Sequence, residues 1–354
     1  MIIESTLVKK EAGALHCSAC NHRCLISNGQ AGVCGVRTND NCNFNLLVHS
    51  KPCAVWVDPV EKKPLFHFLP GSKSFSIGTF GCNLSCLFCQ NWDISQAPRE
   101  ARKNDPSKWR LYFEKLLEGQ RTLTPEAAIK TALASACSSI SYTYNEPTIF
   151  TEYALDIMEE AKKANCTLKH VYVTNGYETE ECWNALNGRL DAANIDLKAF
   201  NDKFYRNICG ASIEPVLQSI KTAKKLGIWV EVTTLLIPGE NDSLEELKAE
   251  AEWLASVDKE MPWHVTAFHP DYKMLDKLPT PPESLLKARE IGCEAGLKFV
   301  YVGNLPVEYA DYENTKCPKC RKVLIKRDGF SVSENNILSG KCRFCKTKIN
   351  GVWK

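Results

Sequence analysis

Nowhere in its 354 residues does the sequence carry an apolar run of the roughly 20 residues that a membrane-spanning helix needs. The opening "MIIESTLVKKEAGALHC" also lacks the apolar stretch of a secretory signal, so a cytoplasmic protein without membrane contact is expected. Charge of one sign is scarce too. The formal net charge is +2, which gives no reason to expect nucleic acid as a partner. Cysteine is the exception, with 18 residues. The reducing cytosol argues against a disulfide framework, and thiolate ligation of metals accounts better for so many.

The cysteines fall into groups, and the middle group is one member short. The stretch "GTFGCNLSCLFCQNW" holds Cys82, Cys86 and Cys89 with no fourth cysteine nearby. Zinc sites and electron-transfer iron–sulfur clusters usually take four protein ligands. A four-iron cube held by three thiolates keeps one iron open to an outside molecule, and an amino acid's amino and carboxylate groups suit that position. The competing account is a zinc site that borrows a distant ligand. Cys137, Cys166, Cys182, Cys209 and Cys293 read as small apolar side chains. Cys42 and Cys53 lie near the first group, and either is a possible extra ligand there.

Between about residues 74 and 303 short β-branched runs alternate with longer amphipathic segments. "SFSIGTF", "SISYTY", "LKHVYVTN", "AANIDLK", "IWVEVTTLLI", "WHVTAFH" and "KFVYVG" read as strands. "TPEAAIKTALASA" reads as a helix with Thr124 as N-cap and Pro125 at its first position. The alternation predicts parallel βα units, six or seven of them, in an open or partial (β/α) barrel; a doubly wound sheet is the other arrangement it allows. Polar signals sit at strand ends: "YNEP", "TNG", "DLK" and "FHP". Active sites of α/β folds are built at that rim, and the first strand delivers the three cysteines to it. The charged connection 93–121 is expected to be either a mobile lid or an ordered excursion with a short helix.

"CNLSCLFC" resembles the cluster motif of radical S-adenosylmethionine (SAM) enzymes, and the likeness extends over 74–303 through "VTNG", "DLKAF" and "LLIPGEND", which resemble motifs of the activating enzymes of glycyl-radical enzymes such as pyruvate formate-lyase. Together with "CSACNHRCLISNGQAGVCGVR", "VDPVEKKPLFHFLPGS" and "CRFCKTKINGVW", the chain is similar to the AmmeMemoRadiSam-system radical enzymes. The resemblance implies an α/β partial (β/α) barrel of radical SAM type flanked by two cysteine-rich metal-binding modules: 1–73, 74–306 and 307–354. It implies a [4Fe-4S] cluster on Cys82, Cys86 and Cys89, and reductive cleavage of SAM to a 5′-deoxyadenosyl radical that abstracts hydrogen. Phe88 would lie near the adenine, and Asn145 and Glu146 near the methionyl amino group. Lys198 would neutralise the methionyl carboxylate. Asp196 and Thr174 would line the rim, and His269 would reach the ribose. Tyr144-Asn145 stands where the activases have two glycines, and Val173 where they usually carry an aspartate. Without the resemblance each of these residues has a plainer reading: Glu146 as a helix-start charge, Lys198 as a solvated lysine, His269 as a structural histidine. An electron donor of flavodoxin or ferredoxin type is the implied partner; the substrate is unidentified, a protein to be activated or modified being favoured and a lipid or small molecule being the other class.

The flanking groups differ in clarity. Cys317-x2-Cys320 and Cys342-x2-Cys345 form paired knuckles around a hairpin-like segment, the pattern of a four-thiolate zinc ribbon, with a rubredoxin-type iron site as the variant. The basic tail around them offsets thiolate charge or binds an acidic partner. Cys17, Cys20, Cys24 and Cys34 suit zinc or an auxiliary cluster, with His16 or His22 as possible substitutes, and zinc is the expectation. The rival to an enzyme is a metal-stabilised binding protein whose zinc ribbon docks nucleic acid or a partner protein.

Overall fold

A computed structural model describes residues 4–354. The parallel strands are short and largely buried, as strands covered on both faces must be. Eight strands form one sheet: β1 (Ala54–Pro59), β2 (Lys73–Gly78), β3 (Ser139–Tyr142), β4 (Lys169–Thr174), β5 (Ala192–Asp196), β6 (Trp229–Leu236), β7 (Trp263–Ala267) and β8 (Val300–Gly303). Their order across the sheet is their order in the chain. The first pair is antiparallel, with Ala54 opposite Gly78 and Pro59 opposite Lys73, and every later pair is parallel.

That sequential order separates the two arrangements the sequence allows. A doubly wound sheet reverses its strand order midway. Here the order never reverses, so right-handed crossovers place the connecting helices on one face and leave the other as the inside of an open barrel. The main helices are α1 (Pro125–Ala134), α2 (Thr151–Lys163), α3 (Glu180–Leu186), α4 (Glu214–Lys225), α5 (Leu244–Val257) and α6 (Pro282–Glu294). The helix start read from the sequence is present: Thr124 accepts a hydrogen bond from the Ala127 amide, with Pro125 at the first helical position. Thr179 and Ser243 cap α3 and α5 in the same way. The connection 93–121 is an ordered helical excursion, with helices at Trp92–Ser95, Ala97–Asn104 and Trp109–Glu118, the last anchored by buried Phe113 and Leu117.

The ends of the chain are tied to this barrel. Near the N-terminus a small antiparallel sheet (Val8–Glu11, Ala14–Cys17, Leu25–Ile26) precedes a hairpin (Arg37–Asp40 with Asn43–Leu46). Arg37 is buried and makes a two-pronged ion pair, 2.6 Å on each arm, with Glu152 of α2. At the other end, Val323–Asp328 pairs with Thr315–Lys316 and Ser331–Asn335, next to a second hairpin, Ile337–Leu338 with Lys341–Cys342. Arg327 pins this unit down: its guanidinium donates to the Phe66 carbonyl at 2.7 Å and lies 3.9 Å above the Phe66 ring. Val352 exchanges backbone hydrogen bonds with His67 and Leu69, each 2.7 Å.

Candidate active site

Because all the parallel strands point one way, their C-terminal ends share a rim, and a cavity of about 520 Å³ opens there. Cys82, Cys86, Cys89, Phe88, Asn145, Thr174, Asp196 and Lys198 all line it. Residues more than 100 positions apart are thus brought together by strand order alone.

The cysteine loop is held by backbone contacts rather than by its own secondary structure. The Ser85 and Leu87 amides donate to the carbonyls of Cys209 and Ile208 at 2.8 and 3.0 Å. Gly210 permits this approach: its φ is +69°, and a Cβ there would sit 2.2 Å from the Ser85 hydroxyl. Asn145 clamps the loop's start, donating to the Gly81 carbonyl at 2.7 Å and accepting from the Thr79 amide at 3.1 Å. Cys82 and Cys86 are buried and Cys89 partly so. Burial pushes the Cys82 thiol well up, with the Glu146 charge adding to it. Cys86 moves the other way, because a hydrogen bond with Cys209 favours its thiolate.

On the opposite wall, Lys198 donates to Asp196 at 2.9 Å and lies 5.7 Å from the Phe88 ring centre. Burial alone would lower the Lys198 amine, but Asp196 and the neighbouring thiols outweigh it and hold the amine well above its ordinary value. Asp196 engages one of the ammonium's three donors.

Two anticipated residues stand elsewhere. Glu146 is fully buried in the wall behind the cavity: it accepts from the amides of Thr148 and Asn175 at 3.0 and 2.8 Å and from the Thr174 hydroxyl at 2.8 Å. Its carboxylate fixes the turn that presents Asn145. Glu178, unremarked in the sequence, shares the same threonine hydroxyls, and burial raises its carboxyl to about 8. His269 is exposed and is not among the residues lining the cavity.

Sequence reading also passed over a buried charged group on the barrel's first edge. Lys63 Nζ lies 2.6 Å from Asp58, which accepts a second bond of 2.6 Å from the Tyr144 hydroxyl. Burial lowers Lys63 to about 8. Tyr144 has φ of +70°, in the left-handed region, and the Asp58 bond helps hold it there. Lys63 and Tyr144 line the cavity. The run "VDPVEKKP" counted in the sequence only as part of a resemblance, and nothing in its spacing pairs Asp58 with Lys63 and Tyr144.

The profile of the radical SAM superfamily matches residues 76–253. The chain belongs to the radical SAM superfamily. It is 39% identical over 345 residues to an uncharacterized protein of Methanocaldococcus jannaschii, covering 97% of each chain. It is 24% identical over 258 residues to another protein of that organism, provisionally named a glycyl-radical enzyme activating enzyme, covering 72% of this chain and 87% of that one. Among solved structures, a domain of pyruvate-formate lyase-activating enzyme from Bacteroides vulgatus ATCC 8482 aligns at 19% identity over 47% of this chain and 99% of its own, with a TM-score of 0.41.

Membership of the radical SAM superfamily implies SAM and a [4Fe-4S] cluster, and the structure fits both: three thiols face a cavity roomy enough for a nucleoside, with a cation on the facing wall. Beyond the radical SAM core, Cys317, Cys320, Cys342 and Cys345 bring their sulfurs within 4.8 Å of one another, with Cys317–Cys345 at 3.5 Å and Cys320–Cys342 at 3.7 Å. A tetrahedral zinc ion with bonds of about 2.3 Å spaces its sulfurs by about 3.8 Å. Cys17, Cys20, Cys24 and Cys34 line one small space beside Arg37. Cys42 and Cys53 do not line it; their thiols point at the carbonyls of Gly13 and Gly78. His22 bonds the Asn83 carbonyl at 2.9 Å instead of joining the four cysteines. Among the described residues no helix is long and apolar enough to cross a membrane.

Proposed function

We propose that the protein is a radical SAM enzyme of the AmmeMemoRadiSam-system type that abstracts hydrogen from a protein substrate. The observation that carries this is the convergence of Cys82, Cys86, Cys89 and Lys198 on one cavity at the strand-end rim. When bound, the cluster and SAM supply one-electron cleavage of a carbon–sulfur bond and a carbon-centred radical. The chain's residues bind and orient. Cys82, Cys86 and Cys89 hold the cluster, and Lys198, steadied by Asp196, neutralises the methionyl carboxylate. Phe88 offers an apolar face for the adenine. Asn145 holds the cysteine loop in place, and Glu146, Thr174 and Glu178 form the buried brace behind it. His269, exposed on the outer rim, has no part in this reading.

A protein substrate is favoured because distant relatives carry the name of glycyl-radical enzyme activating enzymes. An electron donor of flavodoxin or ferredoxin type is the partner the chemistry requires. The C-terminal quartet is read as a zinc site that folds the segment 307–354. The test is anaerobic iron, sulfide and zinc content, followed by dithionite-driven 5′-deoxyadenosine formation on the same sample. Zinc alone with no cleavage would sink the reading. Deuterium passing into 5′-deoxyadenosine from a labelled polypeptide, and not from small metabolites, would identify the substrate class.

A further inference from the structure

We propose that Cys17, Cys20, Cys24 and Cys34 hold a second iron–sulfur cluster, seated directly against the loop that carries Cys82, Cys86 and Cys89. This takes the auxiliary cluster, which their spacing in the sequence left open beside zinc, over the zinc expected there.

Sulfur spacing divides the three cysteine sets. Among the described residues, only the C-terminal quartet draws three or more ligand atoms within 4.8 Å, as one tetrahedral ion requires. The N-terminal quartet and the central trio are both set wider. The central trio lies in the stretch matched by a family that binds a four-iron cluster, so the wider setting is the one this chain uses for a cluster. The N-terminal four likewise do not meet the single-ion spacing, and they line one small space whose other walls include the apolar Ala19, Ile26 and Ile149.

The thiols are also supplied with donors. Arg37 Nε donates to Cys17 Sγ at 3.2 Å, and the Val33 amide approaches Cys24 Sγ at 3.5 Å. Hydrogen bonds to the sulfurs are one of the means by which proteins tune such clusters. The Arg37 side chain is buried, and three of its other N–H donors go to Glu152 and the Ile149 carbonyl, so its place beside the sulfurs is fixed.

The two sets are packed together. His22, between Cys20 and Cys24, bonds the carbonyl of Asn83, the neighbour of Cys82, at 2.9 Å. Gly81, on the other side of Cys82, has φ of +97°, and a Cβ there would stand 2.8 Å from the Cys34 carbonyl. Only glycine permits that approach.

Four protein thiolates leave no open coordination position, so the second cluster exchanges electrons and does not bind substrate. Held there by Cys17, Cys20, Cys24 and Cys34, it would supply one-electron transfer between an external donor of flavodoxin or ferredoxin class and the central site, with no bond made or broken. Both that role and the comparison with the central trio rest on the radical SAM reading, whereas the metal content of the N-terminal site is tested without it.

The test uses the Cys82→Ala/Cys86→Ala/Cys89→Ala variant, reconstituted anaerobically with iron and sulfide in the presence of zinc. Equal iron and sulfide, about two to four of each per chain, with an electron paramagnetic resonance signal after dithionite reduction, is expected. Two zinc ions per chain and no sulfide would overturn the assignment. Should the triple variant fail to fold, Cys20→Ala/Cys24→Ala in the otherwise native chain should lose that same complement of iron, and unchanged iron would equally overturn it. In the reduced native protein the two signals should split or broaden each other. A plain sum of the two variants' spectra would refute the packing of one cluster against the other. Absent SAM cleavage with the second cluster intact would count against the proposed function and leave this assignment standing.

Discussion

Replacing Lys198 by Met keeps the length of the side chain and removes its charge. The wild-type side chain is only 14% exposed, and its amine donates to Asp196 at 2.9 Å and has two further donors. A hydrogen bond between charged groups contributes about 1.5–3 kcal/mol. At about 1.4 kcal/mol per tenfold, Lys198→Met should weaken SAM binding roughly 10- to 150-fold. The upper half of that range is expected, because the variant leaves Asp196 facing the incoming carboxylate without its counter-charge. The assay is anaerobic equilibrium binding to cluster-reconstituted protein, with iron content matched between variant and wild type. Decarboxylated SAM supplies the control, since it lacks the group that Lys198 is said to meet and should bind both proteins alike. A loss under about threefold for SAM, or an equal loss for both ligands, would refute the reasoning.

Three other outcomes are expected. Cys86→Ala should abolish 5′-deoxyadenosine formation while the C-terminal metal stays bound, as read by zinc analysis of the same sample; retained cleavage would remove Cys86 from the cluster. Glu250 is buried and accepts from Thr234, and burial raises its carboxyl to about 8. The folded state therefore keeps a proton that the unfolded chain loses above about 4.5, and native stability falls as pH climbs through that window. Glu250→Gln should be more stable than wild type by about 1–3 kcal/mol at pH near 8.5 and close to equal near pH 4.5, by urea unfolding; the same gain at both would contradict the cause. Cys320→Ser should lower stability by about 3 kcal/mol or more and expose the segment 307–354 to protease first. Uniform digestion across the chain would count against a metal-dependent unit there.

What could be read from the sequence and what could not divides along the distance between partners. The strands themselves, the cap at Thr124 and the place of Lys198 on the rim with the cysteine loop follow from periodicity and from the rule that α/β sites gather at strand ends, whereas the order of the strands across the sheet did not. Cys209 shows the limit. On its own it is a small buried side chain, and its bond to Cys86 exists only because the turn after β5 folds back across 123 positions to the cysteine loop. The group of Asp58, Lys63 and Tyr144 was unreadable for the same reason: 86 positions separate Asp58 from Tyr144, and no local pattern marks such a pair. Glu146 was placed at the correct turn, yet the direction of its side chain depended on Thr174 and Asn175 of another strand. The N-terminal quartet was visible as a group, but ligand spacing in sequence does not encode sulfur spacing in space.

The way Arg327 and Val352 reach back to residues 66–69 bears on how the protein is made. Phe330, at the tip of the hairpin that Arg327 anchors, stands at the cavity with Lys63 and Tyr144. A ribosome releases the barrel strands well before it releases these residues. During synthesis the nascent chain therefore presents a rim whose entrance is unfinished, and a segment that emerges later completes a wall begun by earlier ones.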